Sequence, residues 1–142
     1  MIGVKQTIFK PPLGNCYSAC LASILELSLD QVPNYIAEEK WYLLYGRWLR
    51  QANLDILTFS GPQLYDPELW IEQEERLKGF TIVGVESFRG PWGHSVVAKD
   101  LKIIWDPNPE IEIPTHELYK IESWTMFVVV DPSIPVNIKA LL

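Results

Sequence analysis

The stretch 15–27 reads NCYSACLASILEL, and it determines the fold prediction for the first half of the chain. Alanine and leucine dominate its interior and favour helix, while Asn15 belongs to the residue types preferred at a helix N-cap. The stretch therefore predicts a helix that begins beside Cys16. Two prolines and a glycine within residues 11–14 end any earlier element, and a short strand is expected before them, over Val4 to Phe9.

The remaining sequence predicts helices first and antiparallel strands afterwards. A second helix is expected from Asn34 to about Arg50, and a third is expected to begin at Asp66-Pro67 and to end before Gly79. Strand-like runs cover Leu54 to Phe59, Phe80 to Glu86, His94 to Lys99, Lys102 to Asp106 and Trp124 to Val130. A single helical turn, capped by Thr115, is expected before the last of these strands. The last run is almost wholly apolar, which indicates a central strand. This order of elements is typical of an α+β fold.

The composition indicates a single domain over residues 1–142. Hydrophobic residues make up 48 % and charged residues 21 % of the chain, a balance that allows a packed core at this length. The formal net charge is −6, and the lack of a basic cluster argues against nucleic acid as a partner. The sequence shows no signal peptide and no apolar run of about 18 residues, and its cysteines do not form a disulfide framework. We therefore expect a cytoplasmic protein without a membrane partner.

Cys16 is the first candidate for chemistry because it directly follows the predicted N-cap. The unpaired amides of a first helical turn stabilise negative charge, and a thiol in that position can titrate well below its ordinary value of about 8.5. Since the thiolate is the nucleophile, the position suits nucleophilic catalysis. The alternative is a small buried residue at a helix start.

His94 and Asp106 lie symmetrically about Asp100, where two predicted strands meet. Residues opposite each other in a hairpin share a face, so an odd-length loop would bring His94 to Asp106. A two-residue loop would instead pair Ser95 with Asp106, and the sequence therefore predicts an odd loop or a compensating bulge. A histidine base needs a partner on its second nitrogen, which Asp106 would supply. The alternative is a surface histidine and an aspartate in a turn.

Neighbouring residues extend this candidate site. Gly93 leaves room for a substrate backbone, while Trp92 and Trp105 could shield the pair from water or pack in the core. Gln6 could donate to a developing oxyanion together with the N–H of Cys16, although a glutamine near an N-terminus is usually a surface residue.

We expect no metal and no cofactor, although one metal site is possible on ligand types alone. Zinc accepts cysteine and histidine ligands, and Cys16, Cys20, His94 and His116 would provide four. The CxxxC spacing on one helix is weak evidence for such a site. Cys20, among apolar neighbours, is otherwise a buried thiol, and His116 a surface residue at a helix start.

Four segments, taken in order, resemble the papain-like cysteine peptidase superfamily: VKQ at 4–6, GNCYSACLASIL at 14–25, GHSVV at 93–97 and IIWDPNP at 103–109. The similarity is to its compact bacterial branch, which includes the bacteriocin-leader (double-glycine) peptidases. In such enzymes an upstream glutamine helps to form the oxyanion hole. The cysteine begins the central helix, the histidine begins a strand, and an Asp-Pro pair on the next strand supplies the third member.

The resemblance implies both a fold and an activity. The fold would place the nucleophile at a helix N-terminus packed on an antiparallel sheet that carries the histidine and the aspartate. Cys16 would be the nucleophile, His94 its base and Asp106 the orienting residue, with Gln6 in the oxyanion hole. Tyr17, Trp92 and Gly93 would contact the substrate; an aromatic residue after the cysteine is closer to papain itself.

The activity implied is acyl transfer through a thioester, with a protein or peptide as substrate and hydrolysis of a peptide, isopeptide or amide bond. A deamidase, a transglutaminase or an acyltransferase would use the same residues. An interaction or effector protein that retains a papain-like core without catalysis is the alternative from a different class.

Overall fold

The computed structural model describes residues 1–60 and 78–142. Its helices and strands, in chain order, are α1 (Cys16–Leu25), α2 (Trp41–Arg50), β1 (Leu54–Ser60), β2 (Phe80–Glu86), β3 (Gly93–Lys99), β4 (Lys102–Trp105) and β5 (Ile121–Val129), and short 3-10 turns occupy Leu29–Gln31, His116–Leu118 and Ile138–Leu141. The described part of the chain is an α+β fold, which confirms the predicted class. Neither α1 nor α2 is long and apolar enough to cross a bilayer. The helix predicted to begin at Asp66-Pro67 lies outside the described residues.

The strands named above form one antiparallel sheet in the order β1-β5-β2-β3-β4. β5 pairs with β1 on one side and with β2 on the other. The expected interior position of the last apolar run is therefore confirmed, although β2 is the middle strand and β5 already begins at Ile121. β3 and β4 form the end of the sheet that carries His94.

α1 packs on β2 and β3 and contributes much of the main core. Nearly every residue of the helix after Cys16 is buried, and Leu21 shares an apolar cluster with Ile82 of β2 and Tyr45 of α2. The Ser18 hydroxyl and the Tyr45 hydroxyl are 2.7 Å apart in a buried hydrogen bond that joins the two helices. These contacts fix the N-terminus of α1, and with it Cys16, relative to the sheet.

A second apolar cluster lies on the other face of the sheet. Successive residues of a strand point to opposite faces. Ile82 and Val97 face the main core, so their neighbours Val83 and Val96 belong to this second cluster. Tyr119 and Trp124 also belong to this cluster. The chain just before β5 is thereby packed against β3, and the buried Tyr119 lies close to β4.

The expected strand over Val4 to Phe9 is wrong. The N–H groups of this segment bond to side chains and to a loop carbonyl at 2.9 Å each: Val4 to Ser23 Oγ, Gln6 to Pro107 O, and both Thr7 and Ile8 to Asn15 Oδ1. Because backbone groups need partners but not necessarily strand partners, the segment is ordered without joining a sheet. It runs between α1 and the loop that follows β4.

The second helix begins at Trp41 rather than at Asn34. The Tyr35 N–H donates to the Tyr45 hydroxyl at 3.2 Å, and Asn34 Nδ2 donates to the carbonyl of Leu13 at 2.9 Å. The backbone bonds between these residues span three positions, from the Glu38 N–H to the Tyr35 carbonyl and from the Trp41 N–H to the Glu38 carbonyl, which is the spacing of a turn rather than of an α-helix. The residues before Trp41 form turns instead.

The hairpin between β3 and β4 has a two-residue connection, 100–101, in which both residues have positive φ (50° and 66°), as in a type I′ turn. This loop alone would turn His94 away from Asp106. Further from the turn, the pairing of β3 with β4 shifts by one residue between Ala98 and Val97. Such a bulge returns the side chains of His94 and Asp106 to the same face of the sheet. The predicted compensating bulge is therefore confirmed.

Candidate active site

Cys16, His94 and Asp106 lie together at the N-terminus of α1. Cys16 is the first residue of the helix, and its thiol lies beside His94 and Ser95 at the start of β3. His94 Nε2 is 2.7 Å from Asp106 Oδ1, which leaves the Nδ1 side of the ring for the thiol. The three side chains therefore form a continuous chain from sulfur through imidazole to carboxylate.

The electrostatics of this chain favour a charged pair. Burial disfavours the thiolate, but the hydrogen bond and the charge of His94, helped by Ser95, hold the pKa of Cys16 below its ordinary value of 9.0. Burial also disfavours the imidazolium, but the hydrogen bonds to Asp106 and Cys16 raise the pKa of His94 from 6.5 to about 9. Both directions favour a thiolate beside an imidazolium near neutral pH.

Asp106 is completely buried and is held by three donors. His94 and the N–H of Asn108 both bond to Oδ1 at 2.7 Å, and the Tyr119 hydroxyl donates to Oδ2 at 2.7 Å. Burial acts to raise the pKa of the carboxyl group. These hydrogen bonds and the charge of His94 together outweigh that effect and lower the pKa below its ordinary value, so Asp106 remains ionised. The three donors also fix the plane of the carboxylate.

Sequence reasoning missed two of these donors. Asn108 carries a local signal, because an aspartate followed by proline and asparagine commonly accepts the N–H two residues on. Tyr119 carries none, since its contact with Asp106 spans 13 residues and depends on how the second apolar cluster packs.

Gln6 reaches the site because Asn15 fastens its segment to α1. Asn15 occupies the N-cap position, as predicted, but its side chain makes no cap hydrogen bond to the helix. It binds the backbone of Thr7 and Ile8 instead and donates to Thr7 Oγ1 at 2.9 Å. Gln6 is buried, lines the same cavity as Cys16, and donates one Nε2 hydrogen to the Ile8 carbonyl at 3.1 Å. A second Nε2 hydrogen remains, and no residue in the described part of the chain bonds to the buried Oε1.

A cavity of about 480 Å³ opens beside Cys16. The residues predicted to contact a substrate line it: Tyr17, Trp92 and Gly93. Tyr17 is nevertheless mainly a core residue, with its ring packed on Trp41 and its hydroxyl directed towards Thr125. Trp92 lies against Gly90, where a side chain would overlap the indole ring. The loop before β3 therefore forms one wall of the cavity.

The cavity beside Cys16 is not lined by Cys20, His116 or Trp105. Cys20 is fully buried, and burial raises the pKa of its thiol well above the ordinary value. Within residues 1–60 and 78–142, no group of three or more His, Cys, Asp or Glu side chains is placed to hold a metal, so Cys16, Cys20, His94 and His116 do not assemble as zinc ligands. Trp105 packs on the N-terminal segment, where its Nε1 donates to the Val4 carbonyl at 3.1 Å.

No family model, curated protein or solved structure matches this chain. A thiolate beside an imidazolium can add to an electrophilic carbonyl, and the imidazolium can then protonate the leaving group. The N–H of Cys16 and the remaining hydrogen of Gln6 Nε2 are candidate donors for a developing oxyanion, because both residues line the cavity.

Proposed function

We propose that the chain is a small papain-like cysteine hydrolase that cleaves a peptide, isopeptide or amide bond. The observation that supports this most strongly is the buried carboxylate of Asp106, which accepts three hydrogen bonds and faces the histidine that touches Cys16. A buried charge is costly unless it is fully paired. A chain that only needed to fold would be served as well by an apolar residue at this position.

The arrangement of the helix and sheet supports the papain-like interpretation of the fold. The nucleophile begins α1, α1 packs on the sheet, and the base is the second residue of β3. The orienting aspartate directly follows β4. This is the order and the element type that the sequence resemblance implies.

The reaction proceeds in two acyl-transfer steps. The Cys16 thiolate attacks the carbonyl carbon, a C–S bond forms, and the oxygen takes the negative charge within reach of the Cys16 N–H and Gln6 Nε2. His94 gives its proton to the departing nitrogen as the C–N bond breaks, which leaves a thioester on Cys16. A water molecule then gives a proton to His94 and its oxygen to the acyl carbon, the C–S bond breaks, and a carboxylic acid leaves with the thiolate restored. Asp106 holds the imidazole in one orientation throughout and stabilises its charged form.

Acyl transfer to an amine and deamidation would use the same first step. They differ from hydrolysis only in the acceptor or in which nitrogen departs. An interaction protein without catalysis remains the competing proposal, and it has no use for a reactive thiol at Cys16.

The test is cleavage of a peptide library derived from a digested proteome, with new termini identified by mass spectrometry. Wild type is compared with Cys16→Ala and with Cys20→Ala, a matched control that removes the buried thiol one helical turn away. The proposal expects new termini with wild type and with Cys20→Ala, and none with Cys16→Ala. Equal patterns in all three proteins, together with an unreactive Cys16, would leave the interaction protein as the better proposal.

A further inference from the structure

Arg89 gives the cavity a positive wall in a chain whose net charge is negative. Among the described residues that line the cavity, Arg89 is the one permanent cation, and that part of the lining includes no Asp or Glu. The chain as a whole carries a formal charge of −6. Because field lines concentrate in a low-dielectric cleft, one arginine there favours a negatively charged group on the part of a bound molecule that lies beside it.

Arg89 lies on the His94 side of the cavity. Its Nη2 donates to Asn108 Oδ1 at 2.7 Å, the Asn108 N–H donates to Asp106 Oδ1 at 2.7 Å, and the same oxygen bonds to His94. The leaving group takes its proton from His94 and therefore departs on this side. Arg89 is thus placed to contact the part of a substrate that is released first.

The guanidinium is oriented and still able to bind an anion. It stacks on Phe9 at 4.5 Å from the ring centroid, which fixes its plane. Its ion pair is with Glu110 at 3.4 Å, whose side chain is 78 % exposed. An ion pair so exposed contributes little, so a better-placed carboxylate can displace Glu110.

We propose that Arg89 determines specificity by binding a carboxylate in the leaving group of the substrate. This rests on the function proposed above and narrows the substrate to peptides that are acidic after the cleaved bond. The carboxylate is either the free C-terminus of the released part or an Asp or Glu side chain within it. Arg89 forms no bond in the reaction; it selects and positions the part that leaves.

The test compares alkylation of Cys16 by two probes that differ in charge: 3-maleimidopropionic acid and its neutral amide, 3-maleimidopropanamide. The ratio of their rates cancels any general change in thiol reactivity. We expect wild type to prefer the acid, and Arg89→Met to lower the ratio by about 3- to 10-fold. Arg89→Lys keeps the charge and should retain most of the preference, and added salt should weaken it. Arg50→Met, which removes an equal charge from α2, is the matched control.

The outcomes separate this inference from the proposed function. An acid-to-amide ratio equal in wild type and Arg89→Met overturns the role of Arg89, even when Cys16 is highly reactive. A Cys16 that reacts with the neutral probe as an ordinary thiol would instead refute the Cys–His pair itself.

A peptide library with free or amidated C-termini identifies the source of the carboxylate. Loss of cleavage on amidation assigns the C-terminal carboxylate, and retained cleavage before Asp or Glu assigns the side chain. Cleavage with neither preference contradicts the proposal.

Discussion

Replacing Asp106 by Asn removes the buried charge while leaving its hydrogen bonds in place. The Asn oxygen can accept from His94 and from the Asn108 N–H, as Oδ1 of Asp106 does, and the new Nδ2 can donate to the Tyr119 hydroxyl oxygen. The variant should therefore fold, and it isolates the electrostatic contribution of the carboxylate.

The expected size of the effect follows from the pKa of His94. A rise from 6.5 to about 9 corresponds to roughly 3 kcal/mol in favour of the imidazolium, shared between Asp106 and Cys16. If the charge of Asp106 contributes half, its loss lowers the pKa of His94 by about one pH unit, and the ratio of the thiolate–imidazolium pair to the neutral thiol–imidazole pair falls about tenfold. Because the thiolate is the reactive form, the plateau of the alkylation profile near neutral pH should fall by up to about tenfold. The acid side should change little, because His94 is protonated there in both proteins.

The assay is the rate of Cys16 alkylation by iodoacetamide against pH, followed by intact mass. Cys16→Ala measures any background from Cys20, and Asp131→Asn, in an exposed turn away from the cavity, controls for one lost negative charge. Thermal unfolding checks that the fold is kept. A profile in Asp106→Asn that superimposes on the wild-type profile would refute the reasoning.

Three further predictions concern the hydrogen bonds and charges around the site. Tyr119→Phe removes one donor to Asp106, so the plateau of the alkylation profile near neutral pH should fall by less than in Asp106→Asn, with about 1–2 kcal/mol lost from the unfolding free energy; a wild-type profile would argue against a positioning role. In Cys16→Ala, Asp106 still raises the pKa of His94, so the stability from this pair is complete below pH 6.5 and falls by up to about 1.4 kcal/mol per pH unit as pH rises towards the folded pKa. In wild type the lowered pKa of Cys16 offsets this loss, and denaturation at several pH values should show a flatter dependence; equal slopes would contradict the coupling. Asn15→Ala leaves two backbone N–H groups without their acceptor and should cost about 2 kcal/mol in chemical denaturation, whereas a loss within error would mean that water replaces the side chain.

The sequence predicted best where local chemistry and tertiary structure agree. Cys16 begins a helix because the residues after it favour helix and are also buried on the sheet. The bulge between Val97 and Ala98 was predictable because two side chains had to share a face across a two-residue turn. Where local propensity and tertiary packing favour the same structure, that structure can be predicted from the sequence.

The sequence predicted poorly where distant side chains take over backbone groups. The segment around Val4 does not join the sheet, because its N–H groups bond to Ser23 and Asn15 rather than to a strand. The residues after Asn34 form turns, and the Tyr35 N–H bonds to the hydroxyl of Tyr45, ten residues away. Tyr119 was missed for the same reason, since a contact made across the core leaves no local pattern.

The proposed chemistry requires that Cys16 and His94 form an ion pair oriented by Asp106. An NMR titration of protein labelled with carbon-13 at cysteine and histidine observes both partners, with the signals assigned by Cys16→Ala and His94→Gln. We expect that near neutral pH the Cys16 signal is that of a thiolate and the His94 signal that of an imidazolium, and that the imidazolium persists well above pH 6.5. A neutral thiol beside a neutral imidazole in that range would contradict it.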